Sequence, residues 1–277
     1  MSQIVGIVRA SVFSPNSNDH LIMDIVRERL LEAGHDVRLV DEVEFESHSI
    51  DADAYFSMAR SEKTLTELDR KMAAGSLVVN APDGVRNCLR KTITRLMQDN
   101  AVPAPQCFIF EDGDDCEGRN YRFPCWVKRG DACAQQKDDV VFVRNAEELH
   151  QQFAVFRQRG IGDIVISEHL EGDIVKFYGV ADTSFFYWYY PTLNGGNGKF
   201  GLEAINGPAM QYRFDVAKLQ LAAERLAAVA ETAVFGGDCI VDAAGNFKII
   251  DFNDWPSFSC CAAEGGKAIA RYIQERL

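Results

Sequence analysis

Basic charge is in short supply in this chain of 277 residues: 29 Lys and Arg stand against 41 Asp and Glu, a formal charge of −12. Nucleic acid and anionic membrane surfaces are poor partners for such a balance, whereas a local basic pocket for a small anion is compatible with it. Long apolar runs are missing, since none approaches the ~20 residues that cross a bilayer. The chain opens on the strand-like run Ile4-Val5-Gly6-Ile7-Val8, so no secretory leader is expected. Its eight cysteines form no CxxC pair, Cys260 and Cys261 being adjacent, and its five histidines lack zinc-ligand spacing. Reduced thiols in a cytoplasm are the expectation. No repeat or low-complexity tract is visible. What is present is 47% hydrophobic and 25% charged residues, a globular balance, at a length of about two domains.

The first third alternates strand and helix. Runs at Ile4–Val8, Val37–Val40, Ala54–Met58 and Leu77–Asn80 predict strands. Apolar spacing predicts helices from Asp19 to about Gly34 and over Thr64–Ala74. Ala81-Pro82-Asp83-Gly84 reads as a turn, and a helix over about Val85–Asn100 follows. This order predicts a parallel, doubly wound sheet. Beyond Pro103 and Pro105 strands crowd together: Gln106–Phe110, Cys125–Lys128, Val140–Val143, Ile164–Glu168, Ile174–Val180 and Ser184–Tyr190, with a helix over Ala146–Arg159. A glycine-rich loop, Asn194–Gly201, precedes an alanine-rich helix over about Val216–Val234. Strands Asp238–Asp242 and Phe247–Phe252 then form a hairpin turned at Ala244-Gly245-Asn246, and a final helix closes the order. Strand groups each backed by a helix predict α+β subdomains after about residue 100.

The hairpin is the most informative stretch. Asp251 and Asn253 lie two apart on one strand and share a face, and pairing about the turn brings Asp238 opposite them. Carboxylates gathered there need a counter-charge, and a hard divalent cation supplies one. A polar pair at a strand end would read the same way. Lys128 ends the apolar strand Phe123–Val127, and Lys176 lies inside Ile174–Tyr178; an anion would explain both, and so would solvent or an ion pair. Lys91 fits a solvated helix face. Arg213 is as readable as a structural ion pair as a functional cation. The aromatic run Phe185–Tyr190 reads as a strand covered on both faces rather than as a stacking platform.

In order and spacing these features resemble the ATP-grasp superfamily over nearly the whole chain. The likeness is to its RimK, glutathione synthetase and D-alanine–D-alanine ligase members, with some inositol phosphate kinase features. Val78-Val79-Asn80-Ala81-Pro82, Lys91 and Val102-Pro103-Ala104-Pro105 resemble the entry to its nucleotide domain. Phe123–Lys128 resembles the strand of the second nucleotide lysine, and Ile166–Gly172 the hinge that meets adenine. Asp238 with Asp251-Phe252-Asn253-Asp254-Trp255-Pro256 resembles the magnesium hairpin. The resemblance implies an ATP-grasp fold, α/β and α+β. A Rossmann-like front domain would cover residues 1–85 and an ATP-grasp domain 86–277, split into subdomains at about 104–180 and 181–277.

It further implies ATP and Mg²⁺ (or Mn²⁺) as cofactors. Lys91 and Lys128 would take phosphates, and Glu168, His169 and Leu170 adenine. Glu171 or Asp173 would take the ribose, and Asp238, Asp251 and Asn253 the metal. Lys176 and Arg213 would neutralise the transferred phosphoryl group. Two departures stand out: Asp251 replaces the usual glutamate, and the loop after Lys128 has only Gly130. The implied activity is a ligase that makes an acylphosphate from a carboxylate and then an amide. A kinase acting on a polyol hydroxyl and a catalytically silent nucleotide-binding module are the alternatives. A small carboxylate or polyol is the expected partner, with no nucleic acid and no membrane. Homodimers are the commonest oligomeric prior. Ser11, Ser14 and Arg60 are candidate acceptor contacts, and the Asn194–Gly201 loop a candidate lid.

Overall fold

A computed structural model describes residues 1–13, 19–48, 50–191, 205 and 207–277. Ser14 and the Asn194–Gly201 loop lie outside the described residues. Strands β1 (Gln3–Val8), β2 (Asp36–Asp41), β3 (Ala54–Ser57) and β4 (Leu77–Val79) form a parallel sheet in the order β2-β1-β3-β4. Parallel neighbours need crossovers, here made by α1 (Asp19–Glu32), α2 (Glu42–Ser47) and α3 (Glu62–Ala73). The short α2 left no periodic signal in the sequence. It is set by its cap, Asp41, whose carboxylate accepts from the Val43 N–H at 2.8 Å. Glu42 at its start is buried. Its carboxylate accepts the main-chain N–H groups of Ala10 (2.9 Å), Arg60 (2.8 Å) and Ser61 (2.7 Å). One side chain thus fixes the loops after β1 and β3, the carboxyl ends where doubly wound sheets meet ligands.

The single helix expected over 85–100 is two, α4 (Pro82–Asn87) and α5 (Arg90–Asp99). Pro82 opens α4, where its missing N–H costs nothing, so the expected turn at 81–84 is a helix start. Gly84 is required there because a Cβ would lie 2.3 Å from the Glu231 carbonyl oxygen.

Strands β5 (Cys107–Phe110), β6 (Cys125–Arg129), β7 (Val140–Val143) and β8 (Ile164–Glu168) form an antiparallel sheet in the order β5-β8-β6-β7. Helix α6 (Ala146–Gln158) packs Leu149, Phe153 and Phe156 onto its Phe110, Val127 and Ile164. A third sheet, also antiparallel, takes β9 (Asp173–Val180), β10 (Phe186–Tyr189), β11 (Val234–Val241) and β12 (Phe247–Asp254) in the order β10-β9-β11-β12. The change from the second sheet to the third thus falls between β8 and β9, ahead of residue 180. Helices α5 and α7 (Val216–Val229) cover one face, packing Ile93, Met97, Leu219 and Leu226 against Phe177, Phe235 and Phe252. Helix α7 stops short of the expected Val234: Glu231 takes a left-handed φ of 55°, which turns the chain so that Val234 begins β11. Phe186 and Trp188 join that helical core, while Phe185 and Tyr189 pack toward the other side; Tyr187 on that second face is exposed, so the aromatic strand is covered along one face and only partly on the other.

Helix α8 (Ala262–Gln274) returns to the first sheet. Ile269 and Ile273 share one core with Ile22, Val26 and Leu30 of α1, and with Val180, Val234, Trp255 and Phe258. A buried amide reinforces that joint. Asn80 donates from Nδ2 to the Val234 carbonyl at 2.8 Å and accepts the Val234 N–H on Oδ1 at 2.7 Å. Both polar groups are satisfied, which a buried amide requires.

Candidate active site

The hairpin register follows from its turn. Asp242 accepts the N–H groups of Ala244 and Asn246, both at 2.9 Å, an Asx-type closure. From there Asp238 falls opposite Asp251 and Gly236 opposite Asn253. Cys239 pairs with Ile249, so Ile250 is the extra residue of a bulge, a device that re-aims neighbouring groups. On β9, Lys176 lies opposite Asp238 and Tyr178 opposite Gly236; on β10, Tyr189 lies opposite Lys176 and Tyr187 opposite Tyr178. Strand alternation therefore builds two adjacent rows on the face away from α7. One is Tyr189, Lys176, Asp238 and Asp251; the other is Tyr187, Tyr178, Gly236 and Asn253. A side chain at Gly236 would strike Pro256 (Cβ to Cγ, 2.8 Å) and Tyr178.

Lys176 Nζ donates to both Asp238 oxygens at 3.0 Å. Asp251 accepts from Arg90 Nη1 at 3.2 Å and from Asn253 Nδ2 at 3.1 Å. Asn253 Oδ1 accepts from the Cys133 thiol at 3.1 Å. From β6 in the second sheet, Lys128 donates to the bulged Ile250 carbonyl at 3.3 Å. Asp254, fully buried, pairs with Arg60 of the loop after β3, and Arg9 donates to the Trp255 carbonyl at 3.4 Å. Within this patch Arg60, Arg90, Lys128 and Lys176 outnumber Asp238, Asp251 and Asp254, against the grain of a chain carrying −12. Arg90 Nε is buried with no hydrogen-bond partner, so the patch holds donor capacity for an additional acceptor.

The titrations follow from these contacts. Burial, with Arg90 close by, drives the Lys128 ammonium down to about 8, against the pull of Asp251 and Asp238. Burial works to raise the Asp251 carboxyl, yet Arg90, Lys128 and the Asn253 amide hold it below the usual range. Asp254 keeps the half-buried Arg60 firmly protonated although desolvation opposes it.

No family model matches the sequence, and no curated protein is similar to it. Solved structures are. A RimK domain ATP-grasp protein from Sphaerobacter thermophilus superposes with a TM-score of 0.67 at 13% identity, covering 98% of this chain and 99% of that one. A D-alanine–D-alanine ligase from Bacillus anthracis, complexed with ATP, gives 0.69 at 12% over the whole of both chains. The ATP-grasp ligase PsnB gives 0.62 at 16% over 99% of each. The chain has the ATP-grasp fold.

On that fold the residues expected to act together divide into two groups. Asp238, Asp251, Asn253, Lys128 and Lys176 converge. Lys91 does not: it is bound to Asp163 at 2.8 Å and lies near Glu111. Its neighbour Arg90 reaches the site instead, because the break at Cys88-Leu89 resets the helical phase that a continuous helix from 85 would have kept. Arg213 is exposed, and its main chain abuts Gly245 in the hairpin turn, six residues along β12 from Asp251, or roughly 20 Å of strand. Asp173 is buried and accepts the Met210 (2.7 Å) and Tyr212 (2.8 Å) N–H groups; its carboxylate is committed to holding the segment before α7. Glu168 accepts from the Gln106 N–H and from Lys248 Nζ, both at 2.8 Å, and so ties the second sheet to β12. His169 stands against Trp126, whose indole N–H meets Nδ1 at 3.2 Å, and against Phe142. Burial lowers its pKa. Leu170 is half-buried beside them and Glu171 is exposed. Arg90 and Cys133 were not singled out from the sequence, and neither carried a signal; Arg60, expected as an acceptor contact, is paired with Asp254.

Among the described residues no three His, Cys, Asp or Glu side chains gather as a metal group. The donor set is two carboxylates and one amide oxygen. That set suits Mg²⁺ or Mn²⁺, hard ions that take one or two protein carboxylates and complete their shell with phosphate oxygens and water. Lys176 and Arg90, lying on the two carboxylates, mark where positive charge is accommodated.

Proposed function

We propose that the chain is an ATP- and Mg²⁺-dependent ligase that activates a carboxylate as an acylphosphate and passes the acyl group to an amine. One observation carries the reading: Asp238, Asp251 and Asn253 form one acidic edge, directly faced by Lys128 and Arg90 from outside the hairpin. Opposed charge across a seam between two sheets suits a triphosphate with its cation. Likeness to ligase folds, one of them complexed with ATP, supports the same class.

In this reading the nucleotide lies between the second and third sheets. Trp126, two residues before Lys128 and therefore on the same face of β6, lines the base end together with His169. Lys128 and Arg90 hold phosphate oxygens, the unpartnered Arg90 Nε included. Asp238, Asp251 and Asn253 would hold the metal, which would supply charge neutralisation of the phosphates. Lys176, on Asp238 here, would be the cation that faces the transferred phosphoryl group. The acceptor carboxylate oxygen attacks the γ-phosphorus and ADP leaves. An amine then attacks the acyl carbon, phosphate leaves, and the nitrogen gives up a proton. The loops fixed by Glu42, with Arg9 and Arg60, flank the acceptor end. Positioning and fixed cations are what this chemistry demands of a protein.

Calorimetry with a non-hydrolysable ATP analogue should show uptake that weakens when Mg²⁺ is chelated. ADP release should then require a carboxylate and an amine together. No nucleotide uptake would end the reading. A stable phosphorylated product formed without amine would replace it with a kinase.

A further inference from the structure

Glu42 opens α2 with a side chain that main-chain N–H groups, rather than a cation, meet among the described residues, and the residue is 1% exposed. Its two oxygens serve different loops. Oε2 takes the Ala10 N–H at 2.9 Å, whereas Oε1 takes both the Arg60 N–H at 2.8 Å and the Ser61 N–H at 2.7 Å. One turn along α2, Glu46 accepts from the Ser61 hydroxyl and, at 3.1 Å, from the Thr64 hydroxyl. Ser61 in turn caps α3 by accepting the Thr64 N–H at 3.1 Å. Both loops at the carboxyl end of the first sheet are therefore tied to one short helix.

Each loop reaches onward through an arginine at or beside the residue that Glu42 holds. Arg9 donates from Nε to the Met58 carbonyl at 3.1 Å, which joins the two loops, and from Nη2 to the Trp255 carbonyl at 3.4 Å. Arg60 pairs with the Asp254 carboxylate and donates from Nη2 to the Asp254 carbonyl at 3.4 Å. Asp254 ends β12 and Trp255 follows it, so these contacts fall one and two residues beyond Asn253. Both residues are buried, and the Trp255 N–H is held by the Val234 carbonyl at 3.0 Å. A path of hydrogen bonds thus runs from Glu42 through two arginines to the end of the strand that carries Asp251 and Asn253.

We propose that Glu42 is a positioning residue of the active site: it sets Arg9 and Arg60, and through them the end of the metal-bearing strand. The step from strand position to metal rests on the ligase reading; the path itself does not. A carboxylate is required because it accepts on both oxygens, whereas an amide accepts on one atom and donates on the other. An amide whose oxygen faces Arg60 and Ser61 turns its NH2 against the Ala10 N–H, donor against donor. Glu42→Gln therefore releases the loop after β1 and spares the loop after β3.

Amide hydrogen exchange of the full chain, read by mass spectrometry, tests the path without nucleotide. In Glu42→Gln the segment 9–13 should exchange at least about tenfold faster, the scale of a lost hydrogen bond to a charged group. Segment 60–64 should change less than about twofold, segment 250–258 should quicken at least about threefold, and 164–168 in the second sheet should keep its rate. Arg9→Met leaves Glu42 intact and should quicken 250–258 to the same extent; adding Glu42→Gln to it should bring less than about twofold more, because both cut one path. With a non-hydrolysable ATP analogue, Glu42→Gln should raise the Mg²⁺ concentration for half-maximal uptake at least about threefold, and change uptake without Mg²⁺ less than about twofold. If 9–13 keeps its rate, or quickens while 250–258 does not, Glu42 anchors at most its own loop and the proposal is overturned. If exchange follows the path and the Mg²⁺ requirement stands still, the positioning of the metal is overturned. Should the native chain take up no nucleotide, exchange still decides the path and the loss falls on the ligase reading. Should Glu42→Gln not fold, Arg9→Met carries both readouts, and an unchanged 250–258 there overturns the proposal.

Discussion

At the turn end of the β11–β12 hairpin, Asp242 is answered by its own neighbours, the N–H groups of Ala244 and Asn246 and the Asn246 amide. At the open end, Asp238, Asp251 and Asp254 are answered by Lys176, Arg90 and Arg60, which lie 62, 161 and 194 residues away. The same side chain closes a turn in one place and assembles a site in the other. Local hydrogen bonds on Asp242, those to Asn246 first, lower its pKa in an exposed position. Asp251 reaches the same direction against burial, and only because cations have been carried to it by the fold. A carboxylate whose ionisation depends on the tertiary structure is the one suited to chemistry.

The widest expected gap between the two ends is in turnover. Asp251→Ala should lower ADP release at least about a thousandfold, while Asp242→Ala should leave it within about twofold; equal losses would break the contrast. Next is stability. Arg60→Ala strands the buried Asp254 charge and should cost about 3–5 kcal/mol in urea unfolding, part of which Asp254→Asn in the same chain should restore. An unchanged midpoint would show that Asp254 has another partner.

A sharper version sets Arg90 against Lys91. Arg90→Met should raise the Kd for an ATP analogue by about 10–100-fold, the scale of a lost charged hydrogen bond. Lys91→Met removes a half-exposed pair with Asp163 and should change it less than about threefold. The smallest effect is in pH. Lys128, held at about 8, loses its proton as pH rises through that value, whereas phosphate favours the charged form. Nucleotide binding above pH 8 should therefore take up a proton and weaken by up to about tenfold per pH unit as far as the free-lysine value. Buffers of different ionisation heat would detect that proton, and a flat affinity from pH 7 to 9.5 would remove Lys128 from the phosphate site. For the folded state the sign is opposite: a lowered lysine disfavours the native structure while it is charged, and that cost fades above pH 8.

How much of this was readable beforehand follows the same divide between local and distant. The strands, the hairpin and the shared face of Asp251 and Asn253 come from alternation and turn chemistry, which neighbours dictate. Asp238, thirteen residues back, follows from pairing about one turn. The resemblance pointed to Lys91, and Arg90 was passed over because no residue announces the break at Cys88-Leu89 between α4 and α5, after which Arg90 meets Asp251. Asp173 passed for a ribose ligand because nothing near it in sequence reveals that Met210 and Tyr212 will claim it. Arg213 was credited with proximity that the length of β12 denies. Helix α2 is too short for periodicity, yet it brings in Glu42, which orders two loops at once.

The core shared by α1 and α8 also orders events during translation. Ile22, Val26 and Leu30 emerge from the ribosome early, but their partners Ile269 and Ile273 are made more than two hundred residues later. Until synthesis has passed residue 274 the share of the α1 face that α8 covers has no native partner, although β1 and β2 already pack on the rest. The nascent chain thus carries a strip of uncovered hydrocarbon through most of its elongation.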